Sequence, residues 1–138
     1  MKKRAVCITE FDRQRLLRLI EDRRYEDPKR AGELEALEQE LAGAKSVAPK
    51  DIPPDVVTMN SRVQLVDLDT NEDLHYTLVF PEDADVAESK ISVLAPIGTA
   101  ILGYREGYEF DWQVPDGVRR LKIVQLEYQP EAAGNFSR

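Results

Sequence analysis

The hydrophobic period of this chain changes once, and the change falls on a run of prolines. In the first 46 residues apolar side chains recur at three and four positions, whereas from Asp55 onward they alternate. Between the two lies Val47-Ala48-Pro49-Lys50-Asp51-Ile52-Pro53-Pro54, whose three prolines stop a helix and stiffen the chain. A period near 3.6 and a period of 2 cannot be satisfied by one kind of element. The sequence therefore predicts an α+β chain in three parts: a helical hairpin over 1–46, a proline-rich linker over 47–54, and a small, mostly antiparallel sheet with one short helix over 55–138.

Thr9-Glu10-Phe11-Asp12 opens the first helix, with Thr9 as cap and Asp12 at the acidic position of a capping box. Leu16, Leu17, Leu19 and Ile20 then form one broad apolar face, interleaved with Arg13, Arg15 and Arg18, and the helix is expected to end near Arg23–Tyr25, ahead of Pro28. A second helix runs to Ala44 on the narrow stripe Leu34, Leu37, Leu41, with Glu33, Glu35, Glu38 and Glu40 on its other faces. A basic helix and an acidic one complement each other as antiparallel neighbours. Beyond the linker, Arg62–Asp67 and Leu74–Val79 alternate around a turn at Asp69–Asp73 and read as a hairpin. Ser89–Leu94 is a further strand, Pro96–Gly103 a short helix stopped by glycine, and Phe110–Val114 and Leu121–Tyr128 are strands joined by Pro115-Asp116-Gly117. The tail from Gln129 is expected to be loosely held.

Composition narrows the chemistry. One cysteine, Cys7, and one histidine, His75, build neither a thiolate zinc cluster nor a multi-histidine metal site. No cofactor, resident metal or catalytic set is expected. No apolar run approaches the roughly 18 residues of a membrane span, and Ala5–Ile8 is too short for a signal-peptide core, so the chain reads as cytoplasmic. The net charge of −7 divides into +2 over residues 1–50 and −9 over 51–138. An acidic sheet domain repels phosphate backbones, which argues against direct nucleic-acid binding there. It suits a basic protein partner, or simply keeps the chain soluble.

Three stretches carry a resemblance. Pro54-Asp55-Val56-Val57-Thr58-Met59-Asn60-Ser61-Arg62-Val63, Ile91-Ser92-Val93-Leu94-Ala95-Pro96-Ile97-Gly98 and Leu126–Gly134 resemble the regulators of nucleoside diphosphate kinase, short relatives within the GreA/GreB group of bacterial transcription factors. The resemblance implies a coiled-coil hairpin followed by an FKBP-like domain. It implies RNA polymerase as partner, with the second domain docked at the rim of the secondary channel and the hairpin pointing inward. By position in the family, the docking surface is Leu94, Ala95, Pro96, Ile97 and Gly98. Leu94-Ala95 replaces an Asp-Ser pair usual in Gre factors. Any effect on nucleoside diphosphate kinase would be indirect, through transcription.

The hairpin tip decides between two readings of that family role. Gre factors lend acidic side chains to a catalytic magnesium, which takes hard oxygen ligands. The candidates are Glu21, Asp22, Glu26 and Asp27, flanking Arg23-Arg24-Tyr25. Against them stand the absent acidic tip motif of the family, the neutralising cations Arg23, Arg24, Lys29 and Arg30, and arms of about 20 Å if roughly 14 residues are helical. A solvated turn explains the tip as well, and occlusion of the channel without chemistry is the main expectation. A third reading is a peptidyl-prolyl isomerase. It follows from the implied FKBP-like fold, but lacks an aromatic pocket in a chain that is 7% aromatic. His75 is read as a surface or half-buried strand residue, and Cys7 as a small packing residue.

Overall fold

The computed structural model describes residues 6–26, 31–114 and 117–134. Strand β1 (Val6–Thr9) runs directly into helix α1 (Glu10–Glu26). Thr9 serves both: it ends the strand, and its hydroxyl accepts the Asp12 N–H at 3.0 Å, satisfying one of the open donors of the first turn. Leu16 and Ile20 are buried, but Leu17 stays 41% exposed, so the buried face of α1 is narrower than its apolar spacing implies. In α2 (Ala31–Ala42) the stripe Leu34, Leu37, Leu41 is fully buried. The helices pack against each other. Arg24 pairs with Glu38 at 2.8 Å in the open, a contact of small energetic value. Arg13 instead donates to the Leu41 carbonyl at 2.6 Å and caps the end of α2.

α2 stops before Gly43 and the chain enters β2 (Ala44–Val47), which pairs in parallel with β1 from Val6↔Ala44 to Thr9↔Val47. The sequence reading has no strand here and assigns Val47 to the linker; four-residue strands are too short to display an alternation. Parallel neighbours require a long crossover, and α1 with α2 supplies it. The linker that follows contains a 3₁₀ turn at Pro49–Asp51. Beside β1, the Cys7 N–H donates to the Gly103 carbonyl at 3.1 Å. Gly103 has φ +82°, and a Cβ there would lie 2.4 Å from Cγ1 of Val6, so both the turn and the close approach require glycine.

The main sheet has the order β5-β4-β3-β7-β6. β3 (Arg62–Asp67) and β4 (Asp73–Val79) form the expected antiparallel hairpin. Asp67 closes its turn by accepting the N–H groups of Asp69 and Thr70 at 2.8 and 3.2 Å, and Arg119 holds the other carboxylate oxygen at 2.6 Å. The arginine keeps the Asp67 carboxyl below its usual range. β5 (Lys90–Ser92) is parallel to β4, which makes the sheet mixed. α3 (Pro96–Ile101) follows, then the edge strand β6 (Glu109–Val114) and the long β7 (Gly117–Tyr128), antiparallel to both β6 and β3. Pro115 and Asp116 of the expected turn lie outside the described residues. One core joins the two ends of the chain: Leu16, Leu34, Leu37 and Leu41 belong to the same cluster as Val63, Leu65, Leu78, Ile101, Leu121 and Ile123. Each such side chain contributes about 2 kcal/mol by leaving water.

Candidate functional site

The segment 94–98 is held from several sides. Val93 N–H donates to the Val79 carbonyl at 2.9 Å, Leu94 N–H to the Ser92 hydroxyl at 3.0 Å, and Ala95 N–H to the Ser92 carbonyl at 3.0 Å. The Thr99 hydroxyl donates to the Val93 carbonyl at 2.6 Å. Pro96 opens α3, where its missing N–H costs nothing. Gly98 sits so close to β5 that a Cβ would lie 2.3 Å from the Ser92 carbonyl oxygen. Of the five residues singled out from sequence, Leu94, Ile97 and Gly98 are buried, Ala95 is half-buried and Pro96 is exposed. The surface that the loop offers is therefore Ala95-Pro96, with Leu94 and Ile97 anchoring it from below.

At the end of α1, Glu21, Asp22, Arg24, Tyr25 and Glu26 are exposed and Arg23 is half-buried; Asp27 lies outside the described residues. Asp22 and Glu26 line a groove of about 670 Å³ together with Arg15, Arg18 and Arg23 and with two further carboxylates, Glu82 and Asp83. Cations thus share the groove with the carboxylates. Among the described residues no three acidic, histidine or cysteine side chains are placed to hold a metal ion.

A buried polar cluster, not foreseen from sequence, ties α1 to the sheet. Asp12 is 1% exposed. One of its carboxylate oxygens accepts the Met59 N–H at 3.0 Å, and the other accepts from Arg15 at 2.5 Å. The Arg15 guanidinium lies over the rings of Phe11 and Phe80, 4.1 and 4.8 Å from their centroids. Next to it, Thr58 donates its hydroxyl to Glu131 at 2.7 Å and its N–H to the Ser61 hydroxyl at 2.9 Å. Gln129 donates to the carbonyls of Pro53 and Val56 at 2.9 and 2.7 Å. The stretch Gln129–Glu131 is therefore buried and anchored, against the expectation of a loose tail from Gln129; residues 135–138 lie outside the described residues.

Burial raises both carboxyls above their ordinary range. For Asp12 the loss of solvent outweighs the help of Arg15 and the Met59 N–H; for Glu131 it outweighs the Thr58 hydroxyl, and the nearby Asp12 charge adds to the rise. A carboxyl whose pKa is raised on folding contributes stability below its unfolded pKa and loses it as pH climbs through the folded value. Glu131→Gln keeps an oxygen for the Thr58 hydroxyl and removes the charge. The stability of the variant relative to the parent chain should therefore be greatest near neutral pH and shrink as pH falls into the carboxylate range. Urea titrations at several pH values check this, and a pH-independent difference would contradict the raised pKa.

His75, half-buried on β4, faces Glu127 at 3.1 Å, and Glu127 also takes Arg62 at 3.1 Å. Cys7 is half-buried on β1, where burial pushes its thiol up.

Residues 52–128 match the family model of the C-terminal region of the transcription elongation factors GreA and GreB, and residues 4–47 match the model described as the Rnk N-terminus. The chain belongs to the GreA/GreB family. It is similar over nearly its whole length to the "Regulator of nucleoside diphosphate kinase" of Escherichia coli (strain K12), with 39% identity over 99% of this chain and 98% of that one. It is also similar to the "Transcription elongation factor GreA" of Clostridium botulinum (strain Alaska E43 / Type E3), with 32% identity over 79% of this chain and 71% of the relative. A solved structure described as the prokaryotic transcription elongation factor GreA/GreB from Nitrosomonas europaea superposes with a TM-score of 0.75 at 42% identity, covering 91% of this chain and all of that one.

Proposed function

We propose that this chain binds RNA polymerase at the secondary channel and competes there with other channel factors, contributing no chemistry of its own. Ala95 and Pro96 are the docking contact, seated on Leu94, Ile97 and Gly98. The helices over 1–46 act as a short antiparallel hairpin carried by an FKBP-like unit over 55–138, with 47–54 as the joint. The setting is the bacterial cytoplasm, and any influence on nucleoside diphosphate kinase is indirect. The observation that favours competition over catalysis is the company of Asp22 and Glu26: Arg15, Arg18 and Arg23 line the same groove and offset most of the charge of its four carboxylates, Asp22, Glu26, Glu82 and Asp83. Fixed cations beside these carboxylates oppose the capture of a second Mg²⁺.

The test is RNA cleavage in stalled, backtracked elongation complexes, with and without GreB. The chain alone is expected to be silent and to suppress GreB-stimulated cleavage with dose. Pro96→Asp should remove that suppression while leaving the fold intact, because Pro96 is exposed. Cleavage stimulated by the chain itself, and abolished by Asp22→Ala or Glu26→Ala, would establish the alternative, a working cleavage factor.

A further inference from the structure

The buried polar cluster brings three stretches of chain together: the start of α1, the segment after the linker, and the tail. Asp12 and Glu131 enter it from opposite ends of the sequence, and both are buried. A short relay connects them. Glu131 accepts the Thr58 hydroxyl, the N–H of the next residue, Met59, reaches Asp12, and Asp12 takes Arg15. The charged groups that face Glu131 are Asp12 and Arg15, both on α1. The segment after the linker supplies hydroxyls and backbone N–H groups, which do not titrate in this range. With both carboxyls ionised, the cluster sets two anions against the guanidinium of Arg15, in a place where an unbalanced charge is costly. One added proton balances it. Arg15 is committed to Asp12 at 2.5 Å, so the proton falls to Glu131. A neutral Glu131 carboxyl still accepts the Thr58 hydroxyl.

The tail also has a pivot. Gln129 donates to the carbonyls of Pro53 and Val56, and these bonds do not depend on pH. Beyond Gln129 the tail folds on itself: the Ala132 N–H returns to the Gln129 side-chain oxygen, and the Gly134 N–H to the Glu131 carbonyl. Among the described residues, the Thr58–Glu131 bond is the one hydrogen bond that joins 130–134 to another element. We propose that this cluster is a proton-operated latch: protonated Glu131 shuts residues 130–134 against Thr58, and release of that proton to solvent lets them swing out from Gln129. Solvent loss and the neighbouring Asp12 charge both raise the Glu131 carboxyl, which is the direction the latch needs. A carboxyl raised on folding loses its stabilising contribution as pH climbs through the folded value. The latch is therefore shut on the acid side and opens towards neutral pH. It stands whether or not Ala95-Pro96 is a docking contact.

The test is a pH titration of the full chain with isotope-labelled carboxyls, followed by NMR, alongside amide hydrogen exchange. The Glu131 carboxyl should titrate above the ordinary glutamate range. The buried Thr58 and Ser61 amides should exchange severalfold faster above that midpoint than below it, after correction for intrinsic rates. The Ile123 amide, bonded to the Tyr108 carbonyl in the sheet, should show no such step. Glu131→Gln has no proton to lose there and should hold the Thr58 and Ser61 amides at the slow rate throughout. Asp12→Asn removes the neighbouring charge and should lower the Glu131 midpoint. The titration of the parent chain needs no variant, so misfolding of either one does not hide the answer. An ordinary Glu131 midpoint, exchange at Thr58 and Ser61 that does not follow it, an equal step at Ile123, or a step that survives Glu131→Gln would each overturn the latch.

Discussion

Asp12→Ala is expected to cost about 3 kcal/mol of unfolding free energy, the range for removing one partner of a buried charged contact. The carboxylate serves a backbone donor on one side and a guanidinium on the other. Alanine leaves the buried Met59 N–H without its acceptor and takes the Asp12 carboxylate from the half-buried Arg15. Asp12→Asn separates the two effects. Its amide oxygen still accepts from Met59, so that variant should recover a large part of the loss. Urea denaturation of the three proteins measures the series. If Asp12→Ala were no more than 1 kcal/mol less stable than the parent, the carboxylate would be only a helix-start residue. Because the contact bridges α1 and the segment after the linker, the alanine variant should also lose hydrogen-exchange protection in α1 before it loses it in β7.

Gly98→Ala is expected to be comparably severe, at about 3 kcal/mol, the upper range for overfilling a packed interior. The added methyl would lie 2.3 Å from the Ser92 carbonyl oxygen and 3.1 Å from a Leu78 methyl. The first neighbour is backbone of β5 and cannot swing aside as a side chain would. Either α3 lifts or β5 shifts, and both disturb the hydrogen bonds that hold Ala95 and Leu94. The variant should therefore lose competition at the polymerase along with stability. Pro96→Asp, in contrast, should lose competition at unchanged stability. Thermal unfolding alongside the cleavage assay distinguishes them, and an alanine variant as stable as the parent would show that α3 is not pressed on β5.

What could be read from sequence follows from the range of the interactions involved. The Leu34, Leu37, Leu41 stripe and the β3–β4 alternation each extend over enough residues to reveal their period, and the structure has both. Thr9 caps locally, three residues from its donor, and that too was legible. β1 and β2 were not, because each is four residues long and they find each other across 38 positions of register. The direction of β5 is equally hidden, since parallel and antiparallel edges use the same residues. Asp12 shows the limit at a single residue. Its place in the first turn suggests a capping box, whereas its partner Met59 lies 47 residues away. In the candidate site, five consecutive residues gave no period from which to separate the buried Leu94 and Ile97 from the exposed Pro96. Gln129 and Glu131 read as polar tail residues until their partners, 73 and more positions earlier, are known.

The short parallel pair at the start of the chain has a mechanical meaning. Both roots of the helical arm, β1 before α1 and β2 after α2, are stitched to each other, and β1 is stitched in turn to Gly103, two residues beyond α3. A lever with both roots clamped to one plate does not pivot on a single thread of backbone. The position of α3 thereby sets the bearing of the arm, so a partner that gripped α3, as proposed above, would fix the direction of the helices at once, with no separate search.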